Sequence, residues 1–448
     1  MMKTHCNSKK VEFTSLKNKK VIAGFEGKQI TSDAGLLLIK QLDEKFRITE
    51  QVADCFFDCR DQNRVQHSVL QLIRQRIYGI CSGYEDLNDH DQLRNDPLFS
   101  ILVAKEDSTK KGASKSTLNR IELCPGDLQS ILDGRYHKVS AMEKEMEWLF
   151  LSIFLQTTKR PTEPIFLDFD ATDDPIHGNQ EGKFFHGYYK CDCYLPLYVF
   201  CGHSLLCAKL RPSAIDAASG TIDILEQVVT QIRLKWGDIK IVMRGDGAFC
   251  RDDIMSWCEA NQVDYVIGLP KNDRLLKKIE KEQEEAKQRF EQIGEPARIF
   301  TGLLYKTLQT WPIERYVVAK AEHLSKGANP RFIVTSLIGD PQFLYEKNYC
   351  MRGDMENRIK EQQLDLFADR TSSKKMRANQ LRLWMSSFAY VLLNLLRKYT
   401  LKDSPYCQTI RCKLLKIGGW IRSSCRRIYI SWIQKSNATY VLLVGKLD

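Results

Sequence analysis

Residues 165–178 read IFLDFDATDDPIHG, and the interpretation of the rest of the chain follows from them. The apolar opening Ile165-Phe166-Leu167 runs into Asp168 and Asp170, the pattern of a buried strand that ends in charge. Four carboxylates, Asp168, Asp170, Asp173 and Asp174, fall within seven residues. Like charges so close repel, so a counter-charge is required. On a regular strand Asp168 and Asp170 share one face, and either is a candidate ligand. Asp173 and Asp174 are expected to cap the turn that follows, a common use of Asp.

Downstream, period and punctuation predict strands at 184–189, 194–203 and 205–210, then a helix at 222–236. A short strand at 239–243 leads into Arg244-Gly245-Asp246, followed by a helix at 253–261 and a strand at 263–269. Three antiparallel strands followed by helix-linked parallel ones predict an α/β fold with a ribonuclease H-like mixed-sheet core. In that sheet the first strand and the strand ending at Asp246 are parallel neighbours. Asp170 and Asp246 therefore emerge at one sheet edge, where ligand sites of α/β folds form.

Upstream, residues 32–160 read mostly as helices, with Ser32-Asp33 as a cap and an amphipathic face in HSVLQLIRQRIYG at 67–79. The loop KEDSTKKGASKSTLNR at 105–120, with a helix start at Ser116, suits phosphate contact. The expected organisation is a helical DNA-binding domain at 1–160 and a first core segment at 161–270. A charged helix and β-rich insertion occupy 271–340, a second core segment 341–400, and a basic C-terminal segment 401–448.

The chain has 448 residues and a net charge of +11. Residues 370–448 carry 16 Lys or Arg against Asp403 and Asp448, a net +14 that leaves the remainder at −3. A near-neutral body with a basic last fifth predicts a polyanionic partner, because phosphates reward clustered cations through counterion release. The longest uncharged apolar run, 383–396, has 14 residues. A membrane span needs about 20, so a buried helix is expected and no membrane partner. The opening MMKTHCNSKKVEF has no secretory pattern, and 15 cysteines then read as free thiols in a reducing cytoplasm. No G-x-x-x-x-G-K-[ST] loop occurs, which argues against nucleotide hydrolysis.

Two adjacent carboxylates favour a divalent cation, and hard oxygen ligands suit Mg²⁺. A third carboxylate is expected from the helix NYCMRGDMENRIKEQQL. At roughly 100° per residue, Tyr349, Arg352, Glu356, Lys360 and Gln363 fall within an arc of about 80°. A plain core-facing helix does not show such a polar stripe.

Tyr349-x2-Arg352-x3-Glu356 resembles the Tyr-Arg-Glu-Lys signature of DDE transposases from bacterial insertion sequences. Asp170-Ala171-Thr172 and Arg244-Gly245-Asp246-Gly247-Ala248-Phe249 resemble their first and second acidic motifs. The blocks GYEDLNDHDQLRNDP, EGKFFHGYY, AEHLSKGANPRF and ENRIKEQQLDLFADRTS are similar to the group named for insertion sequence thirteen-eighty. The resemblance implies cut-and-paste transposition: metal-dependent hydrolysis at terminal inverted repeats, then joining of the 3′-hydroxyls to target DNA. It implies Asp170, Asp246 and Glu356 as the catalytic, metal-binding triad for two Mg²⁺ ions, with Mn²⁺ as a substitute. Tyr349 and Arg352 would contact DNA or position the triad. A bacterial, nucleoid-associated location and a dimer in the synaptic complex also follow from it, as does a β insertion between Asp246 and Glu356, which stand 110 positions apart. Of the two acids at the first strand's end, the resemblance favours Asp170. The chain departs from the signature at Gln363, where Lys is expected, with Lys360 as the alternative cation. It departs again at Gly247, where the group commonly has Ser. Trp311 is a candidate for stacking on an extruded base, and Arg422, Arg426 and Arg427 are candidate phosphate contacts. The alternatives are an inactive DNA-binding relative or a nuclease without strand transfer.

Overall fold

The structure is a computed structural model that describes residues 10–16, 19–24, 29–103, 111–133, 138–401, 405–424 and 427–433. Its centre is a nine-stranded sheet. Eight strands form the continuous path: β1 (Ile165–Ala171), β2 (Leu197–Cys201), β3 (Ser204–Lys209), β4 (Ile241–Gly245), β5 (Asp264–Leu269), β6 (Ala297–Tyr305), β7 (Arg315–Leu324) and β8 (Arg331–Thr335). Their spatial order is β3-β2-β1-β4-β5-β8-β7-β6. β2 runs antiparallel to β1 and β3. β4 lies parallel between β1 and β5, with Arg244 directly opposite Asp168. The neighbour relation expected between the first strand and the strand before Asp246 is therefore present.

Within 271–340, read from the sequence as a charged helix and β insertion, the strands prolong the central sheet. β8 pairs antiparallel with β5, and β7 and β6 continue outward. The physical reason is edge protection. β5 would otherwise expose a row of unpaired backbone groups, and β8 covers it.

Helices are named along the chain: α1 (Leu36–Phe46), α2 (Val69–Cys81), α3 (Glu143–Thr157), α4 (Thr221–Trp236), α5 (Asp252–Ala260), α6 (Glu280–Ile293), α7 (Gly353–Lys360) and α8 (Met376–Thr400). Strand alternation divides the side chains between two faces. Leu167 and Phe169 of β1 join Met243 and Ile267 under Leu225, Val228 and Ile232 of α4 and Ile254 and Met255 of α5. Asp168 and Asp170 point to the opposite face, the side of α7 and α8.

On that side α8 is buried along most of its length, and Phe388 stacks on Phe150 of α3 at 4.3 Å. The expected buried helix at 383–396 is thus a core element, and among the described residues no helix is long and apolar enough to cross a membrane. One apolar cluster joins α1, α2 and α3 with α8 and with Leu414, Leu415 and Ile421. Packing therefore does not follow the boundaries expected at 160 and 400. Strand Gly419–Ser423 pairs with Ile30–Thr31, and Lys416 reaches the buried carboxylate of Asp33 at 2.8 Å.

Between β1 and β2 the chain makes a small antiparallel sheet from Asp174–Pro175, Cys191–Tyr194 and Phe184–His186. This corrects the reading of Asp174 as a turn cap. Asp174 is buried in that sheet and neither carboxylate oxygen finds a hydrogen-bond partner. Burial, with Asp369 nearby, pushes its carboxyl up to about 8.

Candidate active site

β1 and β4 deliver their terminal acids to one sheet edge because they are parallel and in register. Asp170 lies in the last turn of the pleat in β1, and Asp246 follows β4 immediately. Asp246 caps a short 3-10 turn, accepting a hydrogen bond from Ala248 N at 2.9 Å. α7 lies over this edge and contributes Glu356. Asp170, Asp246 and Glu356 line one cleft of about 760 Å³, together with Arg352, Lys360 and Gln363.

The acidic run finds its counter-charges in the protein. Asp168 is held by both arms of Arg244, at 2.6 Å from Nε and 2.8 Å from Nη2. A two-point Arg–carboxylate pair of this kind is strong and directional. Asp168 is 2% exposed and committed to that pair, so Asp170 is the acid that faces the cleft. Arg244 also donates to Asn348 O at 2.7 Å and lies over the Phe166 ring at 4.5 Å. It therefore ties the sheet to the segment that leads into Arg352, a role the sequence reading did not assign.

Arg352 is the second counter-charge. Its Nη1 lies 3.4 Å from Asp170 Oδ2 and its Nη2 3.2 Å from Glu356 Oε1. Nη1 is buried and makes no hydrogen bond, so its contact with Asp170 is an ion pair only. Burial works against the Arg352 cation, but Asp170, Asp246 and Glu356 outweigh it and raise its pKa. Burial pushes the Asp170 carboxyl up to about 7, with Arg352 opposing and Asp246 and Glu356 adding to the rise.

The three carboxylates that line the cleft suit a hard divalent cation. Among the described residues, however, no three acidic, histidine or cysteine side chains converge closely enough to enclose a metal. The Arg352 guanidinium stands between Asp170 and Glu356 as a cation in their midst, and half of the Glu356 side chain is exposed.

The other predicted residues divide. Lys360 lines the cleft and is exposed. Gln363 lines it too, but its amide donates to Asp173 O at 2.9 Å, which ties the helix end to the acidic run. Tyr349 lines an adjoining cavity of about 550 Å³ with Tyr345, Phe332, Lys271 and Arg331. Its hydroxyl lies so close to Gly268 that a Cβ there would approach it to 2.6 Å. Gly247 lies between the two cavities, and a Cβ would meet Pro270 Cγ at 3.2 Å, so a serine there would crowd the proline.

Trp311 is a correction. It is 5% exposed, packed edge-on against Tyr305 at 5.9 Å with Arg315 at 5.5 Å, and offers no free face to a base. Arg422 and Arg427 are exposed on the C-terminal hairpin, beside Tyr429. Arg426 lies outside the described residues. The sequence reading missed His186, Tyr188 and Tyr189, which line the cleft from the small sheet. Their signal was three rings in the turn HGYYK, which the sequence places in the strand at 184–189 and in the block EGKFFHGYY.

Among solved structures, the chain is similar to the cryo-EM structure of the piggyBac transposase synaptic complex with hairpin DNA. Identity is 10%, coverage is 87% of this chain and 82% of that one, and the TM-score is 0.42. No curated protein matches the chain. The family described as transposase DDE domain group 1 matches residues 13–442. With that match running over nearly the whole chain, the protein belongs to the transposase DDE domain group 1 family.

Proposed function

We propose that this protein is a cut-and-paste DNA transposase of an insertion sequence. Its ribonuclease H-like core would cleave phosphodiesters at terminal inverted repeats and join the freed 3′-hydroxyls to target DNA. The observation that carries this reading is the meeting of Asp170, Asp246 and Glu356, from elements far apart in the chain, around one cleft with Arg352 among them.

Asp170, Asp246 and Glu356 would hold the divalent ions, Mg²⁺ or Mn²⁺. When bound, such ions supply charge stabilisation and an acidified oxygen nucleophile for in-line phosphoryl displacement. The chain's own groups do the rest. Arg352 exchanges its carboxylate partners for a DNA phosphate, to which a guanidinium binds in two-point fashion. Lys360 adds a cation on the same wall. Arg244 keeps Asp168 out of the reaction and holds the Arg352 segment against the sheet. Joining two element ends at one target requires at least two protomers.

The test is to incubate the protein with labelled element ends, target DNA and Mg²⁺. Nicked and then joined products are expected. Asp170→Asn, Asp246→Asn and Glu356→Gln should each abolish both while leaving end binding intact. Binding alone would mark a DNA-binding relative, and nicking without joining a plain nuclease.

A further inference from the structure

Other deeply buried acids of this chain have cationic partners: Asp168 has Arg244, Asp33 has Lys416, and Glu361 has Arg358 and Arg397. Asp174 does not. It is 1% exposed and neither carboxylate oxygen has a hydrogen-bond partner. The charges that act on it are those of Asp369 and Asp173, both negative. A carboxylate buried in isolation is strongly disfavoured, and buried charges are paired or coordinate metals.

Asp174 is also not the only partnerless oxygen donor in this corner of the fold. Thr371 is 4% exposed and its hydroxyl makes no hydrogen bond, yet it stands near enough to Asp174 to lower the acid's pKa. The side-chain oxygen of Gln180 is buried and unpartnered as well. The Gln180 amide nitrogen donates to Thr371 O at 3.2 Å, which holds the two residues together. Thr371 N donates to Asp369 O at 2.9 Å, so Asp369 belongs to the same turn. Glu181 N donates to Lys374 O at 2.9 Å and closes the loop of the small sheet onto that segment. Gln180, Asp369 and Thr371 line one cavity of about 430 Å³.

Two carboxylates, a hydroxyl and an amide oxygen are hard donors, and the two negative charges equal the charge of one divalent ion. A proton on Asp174 would leave the Gln180 oxygen without a partner, whereas a cation takes all four groups. The cavity beside them has room for the waters that complete the shell of such an ion. We propose that Asp174, Asp369, Thr371 and Gln180 form a structural site for a hard divalent cation, separate from the three-acid cleft. None of the four lines that cleft. Gln363 stands between, lining both cavities and donating to Asp173 O. The ion joins the small sheet, which follows Asp170, to the segment that follows the Glu356 helix, and so steadies one acid against the other.

The test uses the full chain carrying Asp170→Asn, Asp246→Asn and Glu356→Gln, which removes the carboxylates of the cleft. It is stripped with EDTA and titrated with Ca²⁺ or Mg²⁺. Calorimetry should count one ion per chain, and the melting temperature should rise to a plateau. Hydrogen exchange should slow at 174–181 and 369–374 and stay unchanged in α3. Asp369→Asn, at an exposed position, should weaken binding about tenfold or more, the least that even outer-shell changes commonly cost a metal site. Asp174→Asn should melt above its parent in EDTA at about pH 8, because a partnerless carboxylate is gone, and should lose the rise with cation. The proposal is overturned if neither ion binds, if binding is indifferent to both substitutions, or if exchange slows elsewhere instead. An ion that binds the wild type but not the triple variant belongs to the cleft, and also overturns it. None of these outcomes touches the reading of the cleft, which its own cleavage assay tests.

Discussion

Asp168 and Asp170 stand two residues apart on one strand face, and the side chain across from each decides its fate. Asp168 faces Arg244 in the next strand and is locked, while Asp170 faces the cleft. Alternation in the sequence places both on one face. It does not separate them, because the register that brings Arg244 opposite Asp168 spans 76 residues of chain. Asp168→Ala should strand a buried Arg244 and cost about 3–5 kcal/mol in urea unfolding. Asp170→Asn should keep the fold and lose cleavage. Asp174 provides a pH test. An unfolded Asp titrates near 3.9, and Asp174 in the folded chain is pushed up to about 8. The folded state holds the extra proton between those values, so this group's contribution to stability falls as pH rises from about 4 to about 8. Asp174→Asn should remove that fall and exceed the wild type at about pH 8 by at least about 1.4 kcal/mol in thermal unfolding. Between about pH 4 and pH 7, Asp170 contributes a parallel decline that the substitution leaves in place.

At the scale of elements, the segment around Glu356 changes its winding. Residues Leu344–Tyr349 form a π-helix, Cys350–Arg352 a 3-10 turn, Gly353–Lys360 an α-helix, and Glu361–Asp365 a second π-helix. A uniform 100° step groups Tyr349 with the other four polar residues. The real winding sends Tyr349 to the neighbouring cavity and leaves Arg352, Glu356, Lys360 and Gln363 on the cleft. Local pattern shows the stripe but not the altered winding, which depends on packing against β5 and α8. The second π segment is anchored where Glu361 meets Arg397 of α8 at 2.6 Å and Arg358 at 2.8 Å. Glu361→Ala should leave two buried guanidinium groups short of a partner, destabilise the chain by about 3–5 kcal/mol, and lower cleavage even where the protein remains folded. A urea melt and a single-turnover nicking assay check the two halves of that expectation. The strand and helix order from β1 to β5 was legible because hydrophobic period and turn residues are local signals. The union of β8 with β5 was not, since edge pairing is a long-range choice.

For the whole molecule, net charge identified a basic last fifth but not what it is built into. Arg422 and Arg427 are exposed, while Ile417 and Ile421 of the same segment are buried against the N-terminal half. Replacing Arg422 and Arg427 with alanine should reduce the salt dependence of DNA binding by about 0.9 in log–log slope for each phosphate no longer neutralised. Affinity measured across a salt series checks it. The same construction bears on how the polypeptide is made. Ile30 finds its ladder partner at Trp420, near the far end of the chain. Such distant closure comes late in folding, so α1 and α2 are made long before the strand that completes the sheet at Ile30. A message cut short ahead of that strand leaves a target for proteolysis in place of a free-standing fragment.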